Sequence, residues 1–164
     1  MRILGIDPGL QVCGYACIEA DSGQENLIEA GVIRTVRGEA LEEKLNRIAE
    51  DIATLLNRFD PDVVAVEELY SHYAHPRTAI LMGHARGVIL QKCGEVGVPI
   101  KSFSATRIKK SLTGNGRASK EQVQRTIQTV LALAELPEPN DVADAIAAAM
   151  CCGNRLRLGV ESAG

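Results

Sequence analysis

The chain has 164 residues, of which 46% are hydrophobic and 24% charged, and its formal net charge is −3. These values are typical of one soluble globular domain with a substantial core, to which we assign residues 1–157, with 158–164 as a C-terminal tail. No apolar run approaches the roughly 18 residues that suggest a membrane span, and no secretory signal is visible, so we expect a cytoplasmic protein. The five cysteines lack paired spacing, which favours reduced core residues over zinc ligands.

The first part of the chain predicts a three-stranded meander. Apolar residues over 3–6 indicate a strand buried on both faces, and Pro8-Gly9 ends it immediately after Asp7. Further strands are predicted over 12–18 and 27–35, joined by a connector rich in turn-forming residues. Asp7 therefore lies at the carboxyl end of a core strand, where it either caps the following turn or meets a cation, a metal or hydrogen-bond donors.

A second core strand follows a long helix. Apolar residues recur at intervals of three and four over 39–59, which predicts a packing helix. The apolar residues 63–66 then lead into Glu67 and Glu68. A helix that links two strands makes them parallel, so Glu67 and Asp7 should emerge at the same edge of the sheet. Side-chain alternation allows only one of the two glutamates to join Asp7.

Residues 69–77 predict a loop beside this acidic edge. It contains Tyr70, whose ring could contact a ligand or pack into the core, and two histidines. We interpret His72 and His75 as solvent or phosphate contacts rather than as a metal pair. The helix predicted over 76–96 has more apolar surface than one packing face requires, which suggests contact with a second subunit.

The stretch from Lys101 to Arg125 is basic. It has seven lysine and arginine residues against one acid, Glu121, so the rest of the chain must be net acidic. This distribution indicates either a basic face or a lysine-rich solvated surface. The elements predicted here are a short strand over 98–103, a helical turn over 106–112 and a helix over 120–134, opened by a capping box of Ser119 and Gln122.

The last predicted helix begins at Asn140 and runs towards Gly153. Asp141 and Asp144 are three residues apart and share one face of its first turns. Solvation of a helix end explains one acid there but explains two less well, because the rest of the helix is small and apolar. A helix of this kind packs closely on a sheet, which would press both carboxylates towards the acids at the strand ends.

The four carboxylates together predict a metal site. Hard oxygen donors without cysteine or clustered histidine suit Mg²⁺ or Mn²⁺. Two such ions about 4 Å apart can clamp the attacking water and the leaving oxygen of a phosphodiester. A nearby basic surface would then contact the backbone of a nucleic acid.

Four motifs occur in order along nearly the whole chain: Ile6-Asp7-Pro8-Gly9, Ala65-Val66-Glu67, Gly114-Asn115-Gly116 with Lys120, and Asp141-Val142-Ala143-Asp144-Ala145. In their spacing the chain resembles the RuvC family of bacterial Holliday-junction resolvases. The resemblance implies an α/β, ribonuclease H-like fold with a mixed five-stranded sheet flanked by helices. It also implies a homodimer that resolves four-way junction DNA by symmetrical paired nicks, using two Mg²⁺ ions for which Mn²⁺ substitutes. RuvA and RuvB, the branch-migration complex, are the implied partners.

The resemblance also implies roles for individual residues. The implied catalytic metal ligands are Asp7, Glu67, Asp141 and Asp144. The implied DNA contacts are Tyr70 at the crossover bases and Lys109 and Lys120 near the scissile phosphate. The role of Glu68 stays open.

Three other functions are compatible with part of this pattern. Gly5 to Gly9 also resembles the first phosphate loop of actin-like ATPases, but those enzymes need a second similar domain to close over ATP. A related nuclease acting on ribosomal RNA precursors is a nearer alternative, against which the long apolar helix over 76–96 favours the dimeric resolvase. A non-enzymatic junction-binding module would have no use for four converging acids.

Overall fold

A mixed five-stranded sheet forms the centre of the protein, as the resemblance implies. The computed structural model describes residues 1–21, 23–69 and 76–159. The strands lie in the order β3-β2-β1-β4-β5. β1 pairs antiparallel with β2 and parallel with β4, while β3 and β5 occupy the two edges. The strands are β1 (Arg2–Asp7), β2 (Val12–Asp21), β3 (Gln24–Arg34), β4 (Val63–Glu67) and β5 (Ile100–Phe103).

Helices cover both faces of this sheet. They are α1 (Leu41–Phe59), α2 (Pro76–Val96), α3 (Ala105–Thr113), α4 (Lys120–Val130) and α5 (Asn140–Arg157). Side chains alternate along each strand, so Leu4 and Ile6 pack on the α1 and α2 side while Ile3 packs on the α5 side. α3 and α4 pack against α5, which makes α5 the central helix of its layer. Within the described residues, no helix combines the length and the hydropathy that a membrane span requires.

All five cysteines are buried and free, in agreement with the sequence prediction. Cys13, Cys17 and Cys93 lie in the core on the α1 and α2 side of the sheet. Cys151 and Cys152 lie in the core on the α5 side. Burial raises the pKa of every one of these thiols, to about 12 for Cys13 and Cys152. The thiols therefore act as small apolar side chains.

The carboxyl ends of α4 and α5 differ most from their predicted positions. α4 ends at Val130 rather than at residue 134, because Ala132 has a left-handed backbone with φ of 50° that no helix accommodates. α5 continues past Gly153 to Arg157. A Cβ at Gly153 would lie 2.9 Å from a carboxylate oxygen of Glu25, so this glycine is needed for packing and does not end the helix.

An ion pair fixes the carboxyl end of α5. Arg157 donates a hydrogen bond of 2.7 Å to Glu25 at the start of β3, and Glu25 is only 6% exposed. The predicted domain boundary at residue 157 coincides with the last residue of α5, and the division of the chain there stays a prediction.

Candidate active site

Asp7 and Glu67 end two neighbouring strands. Each is the last residue of its strand, and β1 and β4 run parallel with Ile6 opposite Val66. Ala65, two residues before Glu67, packs in the core on the α5 side, so alternation directs Glu67 to that side as well. Glu68 is exposed and follows the strand with the opposite alternation. The structure thus brings Glu67, and not Glu68, to the α5 side beside Asp7.

The backbone of α5 lies directly on β1 and β2. A Cβ at Gly5 would stand 2.1 Å from the carbonyl oxygen of Ala145, and one at Gly14 would stand 1.9 Å from that of Asp141. Gly14 is paired with Asp7 across the two strands. Because Gly14 has no side chain, the first turn of α5 can lie next to Asp7. Sequence reasoning recognised the small residues of the helix but missed these strand glycines, although glycine inside a strand can signal close backbone approach.

The charges of the four predicted acids interact at this edge. Burial, the largest cause, and the negative charges of Glu67, Asp144 and Asp141 together raise the pKa of Asp7 to about 8. Burial also raises the pKa of Glu67 to about 7, with Asp144 as the next cause. The pKa of Asp144 is raised by burial too. Repulsion among partly buried carboxylates is the arrangement that a bound cation relieves.

Two lysines face the same cleft. The cleft has a volume of about 140 Å³, and its charged lining residues are Glu67, Lys109, Lys120 and Asp144. The Lys120 ammonium lies 3.5 Å from Oδ2 of Asp144. Both lysines lower the pKa values of Glu67 and Asp144, against the effect of burial. The structure thus brings both predicted DNA-contacting lysines to the predicted acids.

Local hydrogen bonds position Lys120. Gly114 has a left-handed φ of 75° and ends α3, as a glycine can without strain. The turn after it is held by a 2.9 Å bond from the Arg117 amide to Oδ1 of Asn115. The predicted capping box is confirmed, since Ser119 and Gln122 each accept a hydrogen bond from the other's backbone amide. Lys120 is the first residue of α4 after this cap.

The donor set at this edge of the sheet fits a hard divalent cation, because all four acids offer oxygen and burial disfavours unpaired carboxylate charges. In the ranges that the structure describes, no three acidic, histidine or cysteine side chains converge closely enough to bind one ion together. The carboxylates are therefore near neighbours rather than a closed cage. Tyr70, His72 and His75 lie outside the described residues.

Comparison with known proteins identifies the family. The family model for crossover junction endodeoxyribonuclease RuvC matches residues 3–152. The crossover junction endodeoxyribonuclease RuvC of Rhodopirellula baltica is 48% identical over 149 residues, which cover 91% of this chain and 84% of that protein.

Solved structures give the same result. The structure of RuvC from Thermus thermophilus is similar, with a TM-score of 0.90 and 32% sequence identity. T. thermophilus RuvC in complex with a Holliday junction substrate is also similar, with a TM-score of 0.89 and 30% sequence identity. Both matches cover 98% of this chain and 98% of the matched chain. The predicted ribonuclease H-like fold is confirmed, and the chain belongs to the RuvC family of crossover junction endodeoxyribonucleases.

Proposed function

We propose that this protein is a metal-dependent endonuclease that resolves Holliday junctions by symmetrical paired nicks in DNA recombination and repair. The observation that carries the proposal is the interaction of four carboxylates at the carboxyl edge of the sheet, two of which, Glu67 and Asp144, line a cleft together with Lys109 and Lys120. The T. thermophilus relative in complex with a Holliday junction supports four-way junction DNA as the substrate. We expect the protein to act in the cytoplasm.

The acids are the proposed metal ligands: Asp7, Glu67, Asp141 and Asp144. Mg²⁺ is the expected ion, with two ions per site and Mn²⁺ as a substitute, since oxygen donors suit both metals. Bound divalent ions would supply a nucleophilic water and neutralise the charge that develops on the phosphate. The chain's own contribution is to hold the carboxylates on strand ends and on a closely packed helix, so that the ligands are positioned before substrate binds.

The lysines are the proposed phosphate contacts. Lys120 is exposed at the start of α4, and Lys109 lines the same cleft from α3. Each neutralised phosphate releases counterions from DNA, which makes such contacts favourable and sensitive to salt. From the family resemblance we also propose that Tyr70 contacts bases at the crossover.

A homodimer through α2 is the proposed active form, with RuvA and RuvB as the proposed partners. Ile80 on α2 is 62% exposed, and the Cβ position of Gly87 has no heavy atom of the described residues within 4 Å. A second copy of the chain could approach closely along such a face. Two nicks related by symmetry need two active sites, and one domain carries one.

The test is cleavage of a synthetic four-way junction. Asp7→Asn, Glu67→Gln and Asp144→Asn should each abolish Mg²⁺-dependent nicking and leave junction binding intact, because the lysine contacts remain. Asp141→Asn should also lower the cleavage rate, although Asp144 remains to hold a metal.

The matched control is Glu42→Gln, which removes an exposed acid from the first turn of α1. It should cut at the wild-type rate. Wild-type cleavage by one of the three active-site variants would remove that residue from the ligand set. A junction that is bound but never nicked, with any divalent ion, would instead indicate a binding module.

A further inference from the structure

One of the four acids already has a cationic partner. Nζ of Lys120 lies 3.5 Å from Oδ2 of Asp144, and no other ion pair to the four acids occurs among the described residues. The Lys120 side chain is 63% exposed and that of Asp144 33%. A long, solvated side chain held at this distance forms a weak pair that is easily exchanged for another.

Lys109 acts on the acids through its charge, without forming an ion pair with them. Its charge lowers the pKa values of Glu67 and Asp144, as the charge of Lys120 does, and both lysines line the cleft. In the protein alone, these two ammonium groups are therefore the counter-ions of the acidic edge. Both are also the proposed contacts for a DNA phosphate, so a phosphate and a carboxylate would compete for the same ammonium group.

We infer that Lys120 is an exchangeable counter-ion. It pairs with Asp144 in the free protein, competes there with a divalent cation, and moves to a backbone phosphate when junction DNA binds. The inference rests on the proposed function, because it needs the carboxylate to be a metal ligand.

Exchange of this kind couples the binding of the metal to the binding of junction DNA. Junction DNA withdraws Lys120 from Asp144 and thereby strengthens metal binding. The metal displaces Lys120 and thereby makes its charge available to DNA. Thermodynamic linkage requires both effects to have the same size. The enzyme would then be fully loaded with metal only on its substrate, which limits unproductive chemistry in the free protein.

The first experiment measures Mn²⁺ affinity without DNA, from the electron paramagnetic resonance signal of free Mn²⁺. Lys120→Met keeps the length of the side chain and removes its charge, so Mn²⁺ should bind up to about fivefold more tightly, the upper limit expected for loss of a weak competing pair. Lys120→Arg should restore the wild-type affinity. The control is Lys110→Ala, which removes an exposed charge outside the cleft and should leave the affinity unchanged.

The second experiment repeats the titration with a junction whose crossover phosphates resist hydrolysis, after correction for Mn²⁺ bound by the DNA alone. The junction should tighten Mn²⁺ binding to the wild type, and this coupling should be smaller in Lys120→Met. If Mn²⁺ binds the wild type but not Asp144→Asn, the metal site is supported. If Lys120→Met then binds Mn²⁺ no more tightly than the wild type does, the counter-ion role of Lys120 is refuted. If the wild type binds Mn²⁺ no better than Asp144→Asn, the proposed metal ligand itself is wrong.

Discussion

The substitution Gly14→Ala tests whether close contact between α5 and the sheet controls the active site. The added Cβ would lie 1.9 Å from the carbonyl oxygen of Asp141 and 2.4 Å from its carbonyl carbon. A non-bonded carbon–oxygen contact shorter than 3.0 Å is essentially never observed, so the first turn of α5 must retreat by about 1 Å or more. That turn carries Asp141 and leads into Asp144.

The expected effects follow from this displacement. Overpacking of this kind costs about 1–3 kcal/mol in the free energy of unfolding. A misplacement of about 1 Å at a catalytic group costs roughly 100-fold in rate. Gly14→Ala should therefore unfold at a lower urea concentration, and cleave a four-way junction about two orders of magnitude more slowly, while still binding the junction.

The measurements are urea unfolding and single-turnover cleavage at saturating Mg²⁺. Gly94→Ala provides the control, because Gly94 is exposed near the end of α2 and, apart from its own helix, no described residue has a heavy atom within 4 Å of its Cβ position. It should gain about 0.5–1 kcal/mol from helix propensity and cut at the wild-type rate. Wild-type stability and cleavage in Gly14→Ala would show that α5 has room to move and would refute the reasoning.

Four further predictions follow from the charges and the exposed surfaces. Asp7→Asn should stabilise the metal-free protein by up to about 4 kcal/mol at pH 7, because the folded pKa of about 8 exceeds the ordinary 3.8, pH 7 lies about three pKa units above 3.8, and one unit corresponds to about 1.4 kcal/mol. Below pH 3.8 the Asp7 carboxyl is protonated in both the folded and the unfolded state. The free energies of unfolding in urea should therefore diverge between variant and wild type only as pH rises from about 4 towards 8. A difference that does not change with pH would contradict this. Mg²⁺ affinity, by calorimetry, should rise as pH passes through 7 and 8, where Glu67 and Asp7 lose competing protons, and a pH-independent affinity would argue against these ligands. Lys109→Ala should lower junction affinity in a fluorescence anisotropy titration and reduce the slope of log affinity against log salt by about one, and an unchanged slope would exclude a phosphate contact. Ile80→Glu should sediment as a monomer that binds metal but makes no paired incisions, whereas a dimeric variant would place the interface elsewhere.

The sheet and the strand-end acids could be predicted because each depends on local sequence and simple connectivity. The apolar spacing of α1 predicts a helix, and a helix between two strands makes β1 and β4 parallel. That relation alone brings Asp7 and Glu67 to the same edge. The spacing of Asp141 and Asp144 likewise determines that they share a helix face.

Features that depend on how two elements pack could not be predicted in this way. The role of Gly14 requires knowing which strand lies beneath the start of α5, and the pair of Lys120 with Asp144 requires the relative position of α4 and α5. The early end of α4 has a similar cause. The residues after Val130 have good helix propensity, yet Ala132 adopts a left-handed backbone there.

Because all five cysteines are buried, the reactivity of their thiols reports local opening of the core. A disulfide reagent that releases a coloured thiolate reacts with exposed, ionised thiols, so its rate on the folded protein measures how often each core layer opens. Detachment of α5 would expose Cys151 and Cys152 while the three thiols on the other side of the sheet stay protected. A fast phase of two thiols per chain would therefore measure the opening of the layer that carries Asp141 and Asp144, without any label being introduced.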